Sequence, residues 1–154
     1  YSRRFVLRDI SDYIHYYYSN TYLFINLNLK FIYNYIIMTF QFQEKYTDEE
    51  QKKEATRVLR KYPDRIPVIA EIFSDDLPKL DKNKYLIPRD LTLGQFLYVI
   101  RKRIKLKPEK GLYLFINNKI FSSNKLISQI YETESKNMFL FISIHAENTF
   151  GNLN

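Results

Sequence analysis

Residues 84–104 read KYLIPRDLTLGQFLYVIRKRI: a short apolar run, a proline, then a longer run with a different period. Lys84-Tyr85-Leu86-Ile87 suits a pleated surface and Pro88 closes it, so this piece reads as a strand. Thr92-Leu93-Gly94-Gln95 has the form of a capping box, in which Thr92 accepts from the amide three residues on while Gln95 reaches back. Leu93, Phe96, Val99, Ile100 and Ile104 follow at helical spacing and predict a helix to about Lys105 with those five as its buried stripe.

The pattern extends in both directions. Thr47-Asp48-Glu49-Glu50 is a second capping box. It predicts a helix to about Lys61, with Ala55, Val58, Leu59 and Tyr62 on one face and Pro63 as its stop. Ile66–Phe73 reads as a strand, and Pro67 within it marks either an edge strand or a strand's first residues. Leu112–Ile116 is a strand whose near-continuous apolar run predicts burial on both faces. Asn117-Asn118 is a turn. Ser122 or Ser123 caps a short helix carrying Leu126, Ile127, Ile130 and Tyr131, and Phe139–Ile144 is the last strand. Helix, strand, strand, helix, strand, helix, strand is the order of an α+β ubiquitin-like β-grasp with an N-terminal helical extension. The crossover through the long helix sets the first and last strands parallel at the sheet centre, with the right-handed connection that parallel strands require.

Composition narrows the chemistry. The absence of Cys excludes disulfides, thiolate nucleophiles and Cys metal sites. The only histidines, His15 and His145, are far apart, so neither a His metal site nor a catalytic dyad is expected. No acid–base–nucleophile constellation is visible, so no enzyme and no cofactor are expected. The net charge of +7 favours acidic partners without choosing among them. Arg101, Lys102, Arg103, Lys105 and Lys107 read as a solvated helix face. No nucleic-acid recognition motif accompanies them, so no nucleic-acid partner is expected.

The two ends differ from the middle. Residues 1–37 hold eight of the 14 Tyr and no Gly, Pro, Ala, Glu or Gln. Ile25, Leu27, Leu29, Phe31, Tyr33 and Tyr35 alternate with Asn26, Asn28, Lys30 and Asn34, a strand-like period. Asn and Lys30 interrupt the run too often for a membrane span, and no cleavage site marks a signal peptide. Residues 1–37 are an atypical N-terminal extension; our reading is that they are upstream sequence translated in frame and that Met38 is the start, and the competing expectation is a real extension of the protein. The other end runs Glu147-Asn148-Thr149-Phe150-Gly151 and then Asn152-Leu153-Asn154. A glycine behind an aromatic residue suits a carboxyl donor, because without a Cβ its backbone can thread a narrow enzyme channel.

Several of these stretches together resemble a known family. They are Lys61-Tyr62-Pro63-Asp64-Arg65-Ile66-Pro67-Val68-Ile69, Lys84-Tyr85-Leu86-Ile87-Pro88, Asp90-Leu91-Thr92-Leu93-Gly94-Gln95-Phe96, Arg101-Lys102-Arg103-Ile104 and the tail at Gly151. In this order they resemble the autophagy ubiquitin-like modifiers, including the GABA-receptor-associated protein family, from Met38 to Gly151. Thr47-Asp48 departs from the family's usual proline and aromatic, and Phe121-Ser122 stands where a Pro pair is common.

The resemblance implies a domain at 38–151, a propeptide at 152–154, and a modifier that does no chemistry itself. A processing cysteine protease would expose Gly151. Activating and conjugating enzymes would then carry it to phosphatidylethanolamine. The protein would be cytoplasmic, and on the autophagosome membrane once lipidated. It would also dock receptor peptides of the form aromatic-x-x-aliphatic on the edge strand at Lys84–Ile87. Glu54, Val58, Pro67, Ile69, Leu86 and Phe139 would hold the aromatic side chain. Tyr85, Ile87, Pro88, Leu91, Phe96 and Val99 would hold the aliphatic one, and Arg65, Lys82 and Lys84 the acidic flank. Docking is expected to depend most on Tyr85 and Leu86. The competing expectation is a β-grasp peptide-binding module whose tail is never processed.

Overall fold

The computed structural model describes residues 39–147, so the readings of residues 1–37, Met38, Gly151 and 152–154 lie outside the described residues. The first element among the described residues is one that sequence patterning does not reveal. Helix α1, Gln41–Lys45, has Phe40 at its N-cap, a residue with no side-chain acceptor. Helix α2, Asp48–Lys61, opens on the expected capping box. Thr47 Oγ1 accepts from the Glu50 amide at 3.2 Å, and Glu50 Oε2 accepts from the Thr47 amide at 2.8 Å. Its buried residues are Gln51 and Ala55 rather than the expected four. Val58 and Leu59 are half-buried, and Tyr62 is 39% exposed. Tyr62 is the C-cap, already off the helical backbone, so its side chain leaves the face. Gln51 tolerates burial because its amide is satisfied. It donates to the Tyr46 carbonyl at 2.9 Å and accepts from Asn137 Nδ2 at 3.0 Å.

Strands β1, Arg65–Ile72, β2, Lys84–Pro88, β3, Leu112–Phe115, and β4, Leu140–Ala146, form one sheet in the order β2-β1-β4-β3. The β1–β4 pair is parallel and the β1–β2 and β3–β4 pairs are antiparallel. Helices α3, Leu93–Arg103, and α4, Ile127–Glu134, complete the β-grasp. Asn117 and Asn118 both have positive φ and form the expected turn, bracketed by mutual backbone bonds between Ile116 and Lys119.

Three expectations change, and an open alternative is decided. Strand β1 is central, so Pro67 marks the strand's first residues and not an edge. The Ala70 amide bonds to Asn83 O, which places even-numbered amides on the β2 side. The Pro67 nitrogen therefore faces the β4 side, where pairing begins only at Val68–Leu140, and no ladder bond is lost. Strand β3 is not buried on both faces: Leu112 and Leu114 are buried but Tyr113 is exposed. It is an edge strand, and the fully buried strand is central β4. On α3, Leu93, Phe96, Ile100 and Ile104 are buried while Val99 is 38% exposed. At ~100° per residue, Val99 lies roughly 60° beyond the flank of that stripe. Finally, neither Ser122 nor Ser123 caps α4. The Ser122 hydroxyl bonds to the Asn124 side chain, and Leu126 is the N-cap, with its amide held by Gln129 Oε1 at 3.3 Å.

Alternation along β4 separates two apolar cores. Leu140, Ile142 and Ile144 join Ile66, Val68, Phe96 and Ile100 under α3. Phe139 and Phe141 join Phe42, Ala55 and Ile69 on the opposite face, with Phe40 and Tyr46 against them. The end of β4 is pinned at Glu147. Its amide donates to Gly111 O and its carboxylate accepts from the Gly111 amide, both at 3.1 Å. A Cβ on Gly111 would stand 2.6 Å from Glu147 Oε2, so only glycine admits this pairing without displacement.

His145 is buried on β4. Its ring stacks on Phe73 at 5.8 Å, meets Phe115 edge-on at 5.0 Å, and places Nε2 3.1 Å from Ser143 Oγ. Burial pulls its pKa down to about 4. The unfolded chain therefore takes up this proton first as pH falls. The stabilisation is complete above the unfolded pKa of ~6.5 and is lost toward pH 4, by about 3 kcal/mol from this group. Thermal melts of wild type and His145→Phe between pH 7.5 and 4.5 should diverge. The wild type should lose stability over that window, and the Phe variant should lose less.

Candidate functional site

Strand β2 lies at the sheet edge, and its side chains divide by parity. Tyr85 and Ile87 are buried, Lys84 is exposed, and Leu86 is 37% exposed. The register pairs Ile69 with Lys84 and Pro67 with Leu86. Cross-strand partners share a face, so these four lie on the side that carries α1 and α2. On that side Ile69 and Phe139 are buried, packed with Phe42. Phe42 and Phe139 meet edge-on with ring centroids 5.1 Å apart. On this side lies a groove of about 990 Å³ whose lining includes Phe42, Tyr46, Glu54, Arg57 and Lys84; of the residues expected around the aromatic side chain, Glu54 lines it and Val58, Pro67, Ile69, Leu86 and Phe139 do not. Val58 lies one turn beyond Glu54 on α2, half-buried.

Charge around this groove is arranged, not scattered. Arg57 makes a two-pronged bond to Glu54, at 2.8 and 3.0 Å. That bond holds the Glu54 carboxyl below the usual carboxylate range, and the Lys84 charge adds to the effect. The Lys84 ammonium lies 5.2 Å from the Phe42 ring centroid and 5.3 Å from that of Tyr46, within cation–π range of both. Lys82 lies over the Tyr85 ring at 5.2 Å. Arg65, half-buried at the start of β1, pairs in register with Pro88.

The opposite face of β2 meets α3. Tyr85 packs edge-on against Phe96, 5.7 Å between ring centroids, and its hydroxyl donates to Lys82 O at 2.9 Å. Burial pushes the Tyr85 hydroxyl pKa up. Of the six residues expected around the aliphatic side chain, Tyr85, Ile87 and Phe96 are core, Pro88 and Leu91 are half-buried, and Val99 is exposed. Leu91 and Val99 line a second groove of about 520 Å³ with Gln95 and Tyr98.

Sequence reading missed Phe42, Tyr46 and Arg57 as groove residues. The first two sit on or beside a helix too short to show a period, and Arg57 is one charge among many on α2. It also misread Arg101. Instead of facing solvent, its guanidinium donates to the carbonyls of Lys110, Lys107 and Pro108 at 2.8, 3.0 and 3.3 Å and clamps that loop. Among the described residues no His, Asp or Glu cluster could hold a metal ion, and no helix is long and apolar enough to cross a membrane.

Among the described residues, two helices precede a four-stranded 2-1-4-3 sheet with β2 at its edge, an arrangement that can be compared with known proteins. The model of the family described as autophagy protein Atg8, ubiquitin-like, matches residues 50–151. The chain belongs to that family. The Atg8 family consists of ubiquitin-like modifiers, and this chain is an autophagy ubiquitin-like protein. It is 50% identical over 114 residues to the Autophagy-related protein 8 of Mycosarcoma maydis, a match that covers 73% of this chain and 97% of that one. The Autophagy-related protein 8 of Schizosaccharomyces pombe is also 50% identical, over 116 residues, covering 74% and 96%. Among solved structures, the Atg8 of Trypanosoma brucei superposes with a TM-score of 0.66 at 32% identity, covering 71% of this chain and 96% of that one. The β-grasp expected from the sequence is thus the fold of the Atg8 family, and α1 and α2 are its N-terminal helices in this chain.

Proposed function

We propose that residues 38–151 are a modifier that is joined through Gly151 to phosphatidylethanolamine and docks short receptor peptides on β2 during autophagosome formation. In this reading a processing cysteine protease removes residues 152–154, and activating and conjugating enzymes transfer Gly151. The protein moves from the cytoplasm to the autophagosome membrane. The observation that carries the docking half is the place of β2 at the sheet edge among the described residues, with Lys84 lining one groove and Leu91 and Val99 lining another. An extended peptide that adds to this edge would alternate its side chains between the two faces, as an aromatic-x-x-aliphatic motif requires. Cations at Lys82, Lys84 and Arg65 would meet its acidic flank, an attraction that weakens with salt. The conjugation half rests on family membership and on a glycine at the end of the matched segment. Intact mass measurement of the protein recovered from cells tests it. The expected species ends at Gly151, with a second carrying the lipid. An unshortened, unlipidated chain under autophagy-inducing conditions overturns conjugation and leaves a peptide-binding module.

A further inference from the structure

Helix α1 lacks the cap that its own sequence would need. The first amides of a helix have no partner inside it, and Phe40 at the N-cap cannot supply one. The missing acceptor comes from Glu71, thirty residues away on β1. Glu71 Oε2 accepts from the Gln41 amide at 2.7 Å, and Oε1 accepts from the Phe42 amide at 3.1 Å. The same Oε1 accepts from Asn83 Nδ2 at 3.1 Å, and Asn83 immediately precedes β2. One carboxylate therefore ties the start of α1 to the start of the edge strand. A carboxylate at this place also complements the positive end of the helix dipole.

Helix α1 presents a pair of rings around Lys84, Phe42 from its first turn and Tyr46 from its C-cap. Phe42 and Tyr46 pack on one another at 4.9 Å, and the Lys84 ammonium lies over both. Lys84 is the first residue of β2, next to Asn83. Glu71 thus fixes the rings on one side and the backbone that carries Lys84 on the other. We propose that Glu71 is a positioning residue for peptide docking: through Phe42, Tyr46 and Asn83 it sets the Lys84 ammonium at the mouth of the groove, where it selects peptides with an acidic flank. This rests on the docking function proposed above. Glu71 touches no peptide in this account. It acts on recognition through the placement of the Lys84 charge.

The test uses two synthetic aromatic-x-x-aliphatic peptides, one preceded by a run of glutamates and one by a run of serines. Binding is measured to wild type, Glu71→Gln, Lys84→Gln and the double variant. Gln at position 71 keeps one acceptor but turns an NH₂ toward a backbone N–H, so the tie to α1 is broken at similar volume. Glu71→Gln should weaken the glutamate-flanked peptide about two- to fivefold, the scale of a partly exposed ion pair, and leave the serine-flanked peptide unchanged. The double variant should bind no worse than Lys84→Gln. In the free protein, the Lys84 methylene proton resonances should move toward random-coil positions in Glu71→Gln as the rings withdraw. Asn83→Ala, which removes the β2 arm of the tie and keeps Glu71 and both rings, should reproduce the flank-selective loss, and it decides the matter if the Glu71 variant melts too early to measure. Equal losses on both peptides, or an added loss in the double variant, overturn the proposal. Wild-type protein that binds neither peptide overturns the docking function itself, and this proposal with it; normal wild-type binding with no flank-selective change overturns only the role of Glu71.

Discussion

A chain cut back to Phe150 will not attach to membranes, and a chain ending at Gly151 will attach without needing the protease. The argument is steric and chemical. In the proposed conjugation the activating and conjugating enzymes would each carry the terminal carboxyl before the amide forms, and each transfer would need close approach to the carbonyl. Glycine alone leaves that approach open on both sides. Gly151→Ala should leave the melting temperature of the domain unchanged, because the described core closes before residue 148. It should nonetheless block release of residues 152–154 and reduce lipidation by at least about tenfold, the cost of roughly 1.4 kcal/mol at the transfer step. A gel shift combined with membrane flotation from a reconstituted conjugation mixture reads both outcomes. Normal flotation of the chain ending at Phe150 removes the conjugation reading.

Tyr85→Ala and Leu86→Ala, neighbours on β2, will fail in different ways. Tyr85 is buried against Phe96 and its hydroxyl is bonded to the Lys82 carbonyl. Its truncation opens a cavity in the main core, and aromatic-to-alanine changes in such sites cost about 3–5 kcal/mol of stability. Leu86 faces the groove side, partly exposed, and its removal should cost the fold less than about 1 kcal/mol while weakening peptide binding by ~1–2 kcal/mol. Urea unfolding and peptide titration of the two single variants separate these effects. A double variant would mix them, so the expectation that docking depends jointly on Tyr85 and Leu86 is best tested through Leu86 alone. If Leu86→Ala binds aromatic-x-x-aliphatic peptides as tightly as wild type, the groove face is not the docking face.

How much of this was legible beforehand depended on whether the cause was local. Both capping boxes at Thr47 and Thr92 formed as read, because each uses residues three apart. The strand order followed from element order and connection rules. Errors arose where a distant contact decides. The cap of α1 is a glutamate on β1, and nothing near Phe40 points to it. Gln51 is buried because Tyr46 O and Asn137 satisfy its amide, a pairing that no hydrophobic period can encode. Arg101 looks like its basic neighbours in sequence, yet three carbonyls across a loop hold it in place. Val99 fits the helical period but lies just past the covered arc. The edge character of β2 was readable, whereas which of its side chains face the grooves follows from its register with β1.

The clasp between Glu147 and Gly111 fixes more than the end of a strand. From Glu147 to Gly151 the chain advances four residues, which can span no more than about 14 Å even when drawn straight. That is close to the radius of gyration of a domain of ~100 residues, about 13 Å. Attached to a lipid headgroup at Gly151, the domain would be moored on a line no longer than its own half-width. It could pivot but not wander, and the corner holding Gly111 and the Arg101-clamped loop with Lys107 and Lys110 would be drawn against the headgroups. A cleft on a body so closely moored has a bounded set of headings, which makes the length of those four residues a determinant of what a membrane-bound receptor can reach.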